Sequence, residues 1–148
     1  MYQRILVPTD GSTTSEKGLT EAITLAKLSG GRIRLIHVVD AMSVAIGADG
    51  FASYAAEVLP LLRDAGNQIL QGARGRVEAA GIEVDDTLRE VLSGRVADQI
   101  VEEAAAWKAD LIVIGTHGRR GVRRLFLGSD AEQILRSATV PVMLVRGE

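Results

Sequence analysis

The chain switches regularly between short runs of β-branched and aliphatic residues and longer stretches whose apolar residues recur every three or four positions. This alternation constrains the fold more tightly than any other feature, because strands that alternate with helices pair in parallel, with the crossover helices covering the sheet. Five runs read as strands: Arg4 to Val7, Arg32 to Val39, Glu83 to Leu88, Leu111 to Ile114 and Val140 to Val145. Four stretches between them read as helices. The first is Ser12 to Ser29, with Leu19, Ala22, Ile23 and Ala26 on one face, Ser12 as its N-cap, and Ser29-Gly30-Gly31 as its C-cap. The second spans about Ala52 to Ala80, where Pro60, Gly66, Gly72 and Gly75 predict a kink or an irregular first turn near Pro60. The third carries Val96, Ile100, Ala104 and Trp107 on one face, and the fourth Ala131, Ile134, Leu135 and Ala138. Ala41 to Gly50, small and glycine-containing, reads as a loop after the second strand.

Strand composition orders the sheet. Strands buried on both faces are continuously apolar, and edge strands carry charge. Ile5-Leu6-Val7 and Leu111-Ile112-Val113-Ile114 are central on that criterion, and the third strand, with Glu83, Asp85, Asp86 and Arg89, is an edge. Right-handed crossovers then give an α/β fold, an open five-stranded parallel sheet of order 3-2-1-4-5 with helices on both faces. Direction reverses between strands one and four, and ligands of such sheets bind beyond the C-terminal ends of the strands at that switch point.

With 148 residues the chain is expected to form a single domain over 1–148. It contains no cysteine, which excludes disulfides, thiolate metal sites and a cysteine nucleophile and fits a cytoplasmic protein. Pro8 ends the first apolar run too soon for a signal peptide, and no segment has the length to span a membrane. A net charge of −2 and a pI near 5.7 give no field that would draw the molecule to nucleic acid, so an anion site must be local.

Two features converge on the switch point: Pro8-Thr9-Asp10 after the first strand and Gly115-Thr116-His117-Gly118 after the fourth. From Gly115 the chain reads GTHGRRGVRRLFLGSDAEQIL, with Arg119, Arg120, Arg123 and Arg124, before a helix that starts near Ser129. Glycines let backbone approach a ligand, and the free N–H groups of a helix start favour an anion, so phosphate is the natural guest and Ser129 an added donor. The alternative is a solvated basic turn. The spacing Gly115, Gly118, Gly128, Ser129 resembles the universal stress protein family, whose ATP-binding members carry G-x2-G-x9-G-[ST]. The resemblance extends to ILVPTDGS at Ile5, HVVD at His37, VLSG before the third helix and the closing VPVMLV, and so covers essentially the whole chain.

The resemblance implies a Rossmann-like, adenine nucleotide alpha hydrolase-like fold and a site for ATP, or AMP or ADP, with Mg2+ accompanying a triphosphate. It implies that Pro8, Thr9, Asp10 and Val38 line the adenine and ribose end, and that Gly115, Thr116, His117, Gly118, Arg119, Arg120 and Gly121 with Gly128 and Ser129 hold phosphates, Asp130 and Ala131 following in the same site. It also implies a homodimer through the C-terminal strand, an almost wholly apolar edge. Each residue has a plainer reading: Asp10 as a helix cap, Pro8 as a strand end, Val38 as core. Asp130 departs from the apolar residue often found there and would repel a triphosphate unless it points away and favours the helix start. His37 and His117 have no carboxylate and nucleophile beside them in a recognisable pattern and read as structural or weakly contacting.

Other readings fit less well. A response-regulator receiver would share the strand order, but it needs an acidic cluster, a phosphoacceptor aspartate and a lysine that this chain lacks, and no Walker lysine or metal-ligand cluster is present. The expected function is a nucleotide-binding regulatory protein of stress response with little or no turnover. The alternatives are a slow ATPase or phosphotransferase, or a dimeric interaction module that binds no nucleotide.

Overall fold

The computed structural model describes residues 1–41, 56–116 and 127–147. In chain order the elements are β1 (Arg4–Pro8), α1 (Thr13–Ser29), β2 (Arg32–Asp40), α2 (Leu59–Ala79), β3 (Val84–Val91), α3 (Val96–Trp107), β4 (Leu111–Gly115), α4 (Ser129–Ser137) and β5 (Val142–Val145). All neighbouring strands pair in parallel in the order β3-β2-β1-β4-β5, the order expected from the charge and apolarity of the strands.

Because side chains alternate along a strand, the central strands feed two cores. Ile5, Val7, Ile33, Leu35, Leu111 and Val113 pack with Leu19 and Ala22 of α1 and Leu70 and Val77 of α2. Leu6, Ile36, Ile112 and Ile114 pack on the other face with Ile100, Ala104 and Trp107 of α3 and Ile134 of α4. Each such buried aliphatic side chain contributes about 1.5–3 kcal/mol over its exposed state, which is why Ile5–Val7 and Leu111–Ile114 carry no charge. The edge strand β3 offsets its charges with ion pairs. Arg34 Nε and Nη2 reach the Asp85 carboxylate at 2.6 and 3.0 Å, Arg34 Nη1 reaches Glu103 at 2.7 Å, and Arg89 Nη2 meets Glu103 at 2.8 Å. Hydrogen bonds to Asp85 chiefly, with Glu103 adding to them, make the Arg34 guanidinium hold its proton more tightly than usual against the opposing effect of burial.

Three boundaries differ from expectation. The second helix runs from Leu59, so Pro60 lies in its first turn, where a missing N–H costs nothing; residues 56–57 are helical and Val58 is a turn, the irregularity near Pro60 that the sequence predicts. The expected positions 52–55, like loop residues 42–50, lie outside the described residues. β3 runs three residues past Leu88 to Val91, since its pairing with β2 continues to Asp40 and the side chains of Arg89 and Glu90 find partners on α3 and α2. β5 starts at Val142 rather than Val140, since Pro141 has no N–H to give, although its carbonyl accepts from Ile112 N–H at 3.0 Å. The caps of α1 are as read: Ser15 N–H donates to Ser12 Oγ at 3.2 Å, and Gly30, at φ 72°, turns the chain out with its N–H on the Ala26 carbonyl. No helix among the described residues is long and apolar enough to cross a membrane.

Candidate functional site

A crevice of about 1070 Å3 opens beyond the C-terminal ends of β1, β2 and β4, at the switch point. Pro8, Thr9, Asp10 and Val38 line one side, Gly115 and Thr116 the floor, and Gly128, Ser129, Asp130 and Ala131 the side formed by α4. These are ten of the fifteen site residues that the sequence analysis expects. His117, Gly118, Arg119, Arg120 and Gly121, together with Arg123 and Arg124, lie outside the described residues.

The β1 exit is held rigidly. Thr9 is buried, its N–H donates to the Ile36 carbonyl at 2.8 Å, and its hydroxyl lies 3.1 Å from Ser15 Oγ. Asp10 N–H donates to Ser15 Oγ at 3.3 Å, and Ser12 N–H donates to Asp10 Oδ1 at 2.9 Å. Asp10 therefore shapes the turn into α1 while Ser12 serves as the N-cap, and both the plain and the ligand-facing readings of Asp10 fit this position.

The floor explains one glycine. A Cβ on Gly115 would lie 2.7 Å from the Thr14 carbonyl carbon and 2.8 Å from its oxygen, so the start of α1 lies where a side chain would be. Gly115 is required by packing before any ligand arrives. Thr116 is buried; its N–H donates to the Val145 carbonyl at 3.0 Å, and its carbonyl accepts from Gly128 N–H at 2.6 Å. Gly128 is the N-cap of α4 and makes no side-chain cap, so the first N–H groups of that helix face the crevice without a side-chain acceptor from their own cap. Asp130 lies exposed in the first turn, where the helix dipole favours a carboxylate.

Sequence reasoning passed over several residues of the same crevice. Ser15 enters from α1, Gly66 from α2, and Gly94 and Arg95 from the turn before α3. The signal for Gly94 was available in VLSG, since φ of 98° requires glycine there. Gly66 had none, because its neighbours His37 and Leu88 come from distant strands; Ser15, which bonds Thr9, Asp10 and Ser12 just before it, was passed over in favour of Ser12 as the cap. No group of three or more metal-ligating side chains is gathered among the described residues. A shallower depression of about 710 Å3 at the opposite end of the sheet is lined by Gly30 and Gly31, whose N–H groups are already spent on Ala26.

A parallel sheet of this order, wound on both faces and open at its switch point, defines a Rossmann-like α/β protein. The model of the universal stress protein family matches residues 1–146, and the chain belongs to that family. A universal stress protein of Methanocaldococcus jannaschii, MJ0531, is 37% identical over 99% of this chain and 83% of its own length. MJ0577 of the same organism, 26% identical, superposes with a TM-score of 0.87 over 100% of this chain and 98% of that one. Two further solved relatives, each 25% identical, carry a nucleotide. One is a universal stress protein in complex with cAMP, at a TM-score of 0.70 over 99% of this chain and 98% of that one. The other is the universal stress protein of Archaeoglobus fulgidus in complex with dAMP, at 0.67 over 97% and 98%.

Proposed function

We propose that this chain binds an adenine nucleotide, ATP or its di- or monophosphate, in the switch-point crevice and acts as a regulatory protein of stress response with little or no turnover. The observation that carries the reading is convergence: segments distant in sequence, at Pro8–Asp10, Val38, Gly115–Thr116 and Gly128–Ala131, line one crevice. The nucleotides bound by the two solved relatives support the same class of ligand. Mg2+ accompanies a triphosphate, and Ser129 with the N–H groups of α4 faces the phosphates. Mass spectrometry of small molecules released from the purified, denatured protein, with calorimetric titration of ATP, ADP and AMP, tests this. Nucleotide binding lost in a folded Gly128→Val variant supports it; a wild-type protein that binds none of the three refutes it. Turnover stays well below the ordinary enzyme value of about 10 per second, and a rate in that range overturns the regulatory reading.

The reading includes a homodimer through β5. Ile112 N–H and Thr116 N–H reach the carbonyls of Pro141 and Val145, so the odd residues of β5 face β4 and the backbone groups of Val142 and Leu144 face outward from the sheet edge. Their side chains pack on the α3/α4 core, so a lysine there tests folding rather than pairing. Leu144→Pro removes one outward donor and leaves an apolar residue. Light scattering is expected to give a wild-type dimer and a weakened variant; a folded, strictly monomeric wild type at micromolar concentration refutes the dimer.

A further inference from the structure

His37 stands on β2 one residue before Val38, and the family reading gives it no role. Its Nδ1 lies 2.8 Å from the Thr9 carbonyl oxygen. A carbonyl only accepts, so the proton is on Nδ1 and the imidazole is the donor. On the other end of the same peptide group, Asp10 N–H donates to Ser15 Oγ. The peptide plane that joins Thr9 to Asp10 is thus gripped at both of its polar atoms by side chains, one from β2 and one from α1. The ring in turn is backed by α2, where a Cβ on Gly66 would lie 2.7 Å from His37 Cδ2, 3.2 Å from its Nε2 and 2.8 Å from Leu88 Cδ1 of β3. Gly66 is buried in the middle of a helix, where glycine is unfavourable by about 1 kcal/mol relative to alanine. Room for the ring, and for Leu88 beside it, is what the helix gains in exchange.

We infer that His37 is a positioning residue for the crevice: wedged under Gly66, it holds the Thr9–Asp10 peptide in the orientation that presents Asp10 to the ligand. The inference rests on the reading of this crevice as an adenine-nucleotide site. It makes no use of imidazole acid–base chemistry, and it accounts for two residues, His37 and Gly66, that local sequence preference leaves unexplained.

Three variants separate this role from plain packing, each titrated calorimetrically with ADP alongside the wild type and checked for folding by circular dichroism. His37→Asn places an amide donor near the Nδ1 position and is expected to keep affinity close to wild type. His37→Leu fills space without a donor, leaves the Thr9 carbonyl unpaired, and is expected to weaken ADP binding about tenfold. Gly66→Ala, which raises helix propensity, is expected to weaken ADP binding by displacing the ring, and to do so much less in the His37→Asn background, where the side chain is smaller. Equal affinities for folded His37→Asn and His37→Leu overturn the positioning role while leaving the nucleotide site standing. A wild type that binds ADP, ATP and AMP not at all refutes the site itself. Should His37→Leu fail to fold, the Gly66→Ala pair decides alone: unchanged affinity in Gly66→Ala overturns the inference.

Discussion

At the N-terminal ends of the strands polar groups meet protein partners; at the C-terminal ends several face a crevice instead. Asp110 accepts from the N–H groups of Gln3 and Arg4 at 2.8 and 3.0 Å, Arg4 Nε donates to the Trp107 carbonyl at 2.8 Å, and Ser29 Oγ donates to the Tyr2 carbonyl at 2.9 Å. The guanidinium groups of Arg4, Arg32 and Arg34 gather over the Trp107 indole at 4.5, 5.9 and 4.9 Å from its centre. The helices that finish at this end close on their own carbonyls: the cap N–H of α1 reaches Ala26, and that of α3, at Lys108, reaches Ala104. The opposite end has one side-chain-capped helix start, Ser12 of α1, while α2, α3 and α4 begin without a side-chain cap. The difference separates two jobs within one sheet. Stability is concentrated where donors and acceptors are matched, and ligand capacity where helix donors lack side-chain acceptors.

That contrast can be broken by removing its anchor. Trp107→Ala takes away a buried ring and the surface on which three arginines rest, and is expected to cost about 3–5 kcal/mol in urea unfolding while nucleotide affinity of the folded protein stays unchanged. A parallel loss of affinity would show that the two ends are energetically one unit. Asp110→Ala removes a charged acceptor from two backbone donors and is expected to cost about 2 kcal/mol, again without effect on binding. At the other end the balance reverses. Ser15→Ala costs about 1 kcal/mol in stability but releases one side of the Thr9–Asp10 peptide, so ADP affinity is expected to fall about fivefold in calorimetry; unchanged affinity would place that peptide outside the site.

The smallest effect belongs to the flank. Glu90 on β3 pairs with Arg63 on α2, and the guanidinium holds its carboxyl below the usual carboxylate range. A depressed carboxylate pKa adds stability that is complete above the ordinary glutamate value and lost as the pH falls through the folded one. The stability gap between wild type and Glu90→Gln is therefore expected to narrow as the pH is taken from neutral to below about 4, with no change in affinity at neutral pH. A gap independent of pH would remove the pair from the balance.

Much of this arrangement was legible in the chain. The order of the sheet follows from apolar runs at Ile5–Val7 and Leu111–Ile114 and charge at Asp85 and Asp86, because burial on two faces leaves no room for a carboxylate without a partner. Of the glycine motif, a local property of the sequence, Gly115, Gly128 and Ser129 line the crevice, while Gly118 lies outside the described residues. What remained hidden was carried by contacts between distant residues. Gly66 looked like a weakness in a helix until the His37 ring and Leu88 were found against it, and Gly115, expected beside the phosphates, has a second reason to be glycine in the Thr14 backbone that fills the place of a side chain. Pro60 marked an irregularity in its own segment, a kink or an irregular turn, and the break falls at Val58 just before it.

Thr116 carries a consequence for what a change of side chain can alter. Its carbonyl and Gly128 N–H are joined at 2.6 Å, and its N–H is fixed to Val145, so the two ends of segment 117–127 meet at a closed stem anchored on the sheet. The anchorage on either side of that segment therefore belongs to the scaffold: Thr116 and Gly128 are tied to each other and to β5 through backbone groups, which a change of side chain at either neighbour does not remove.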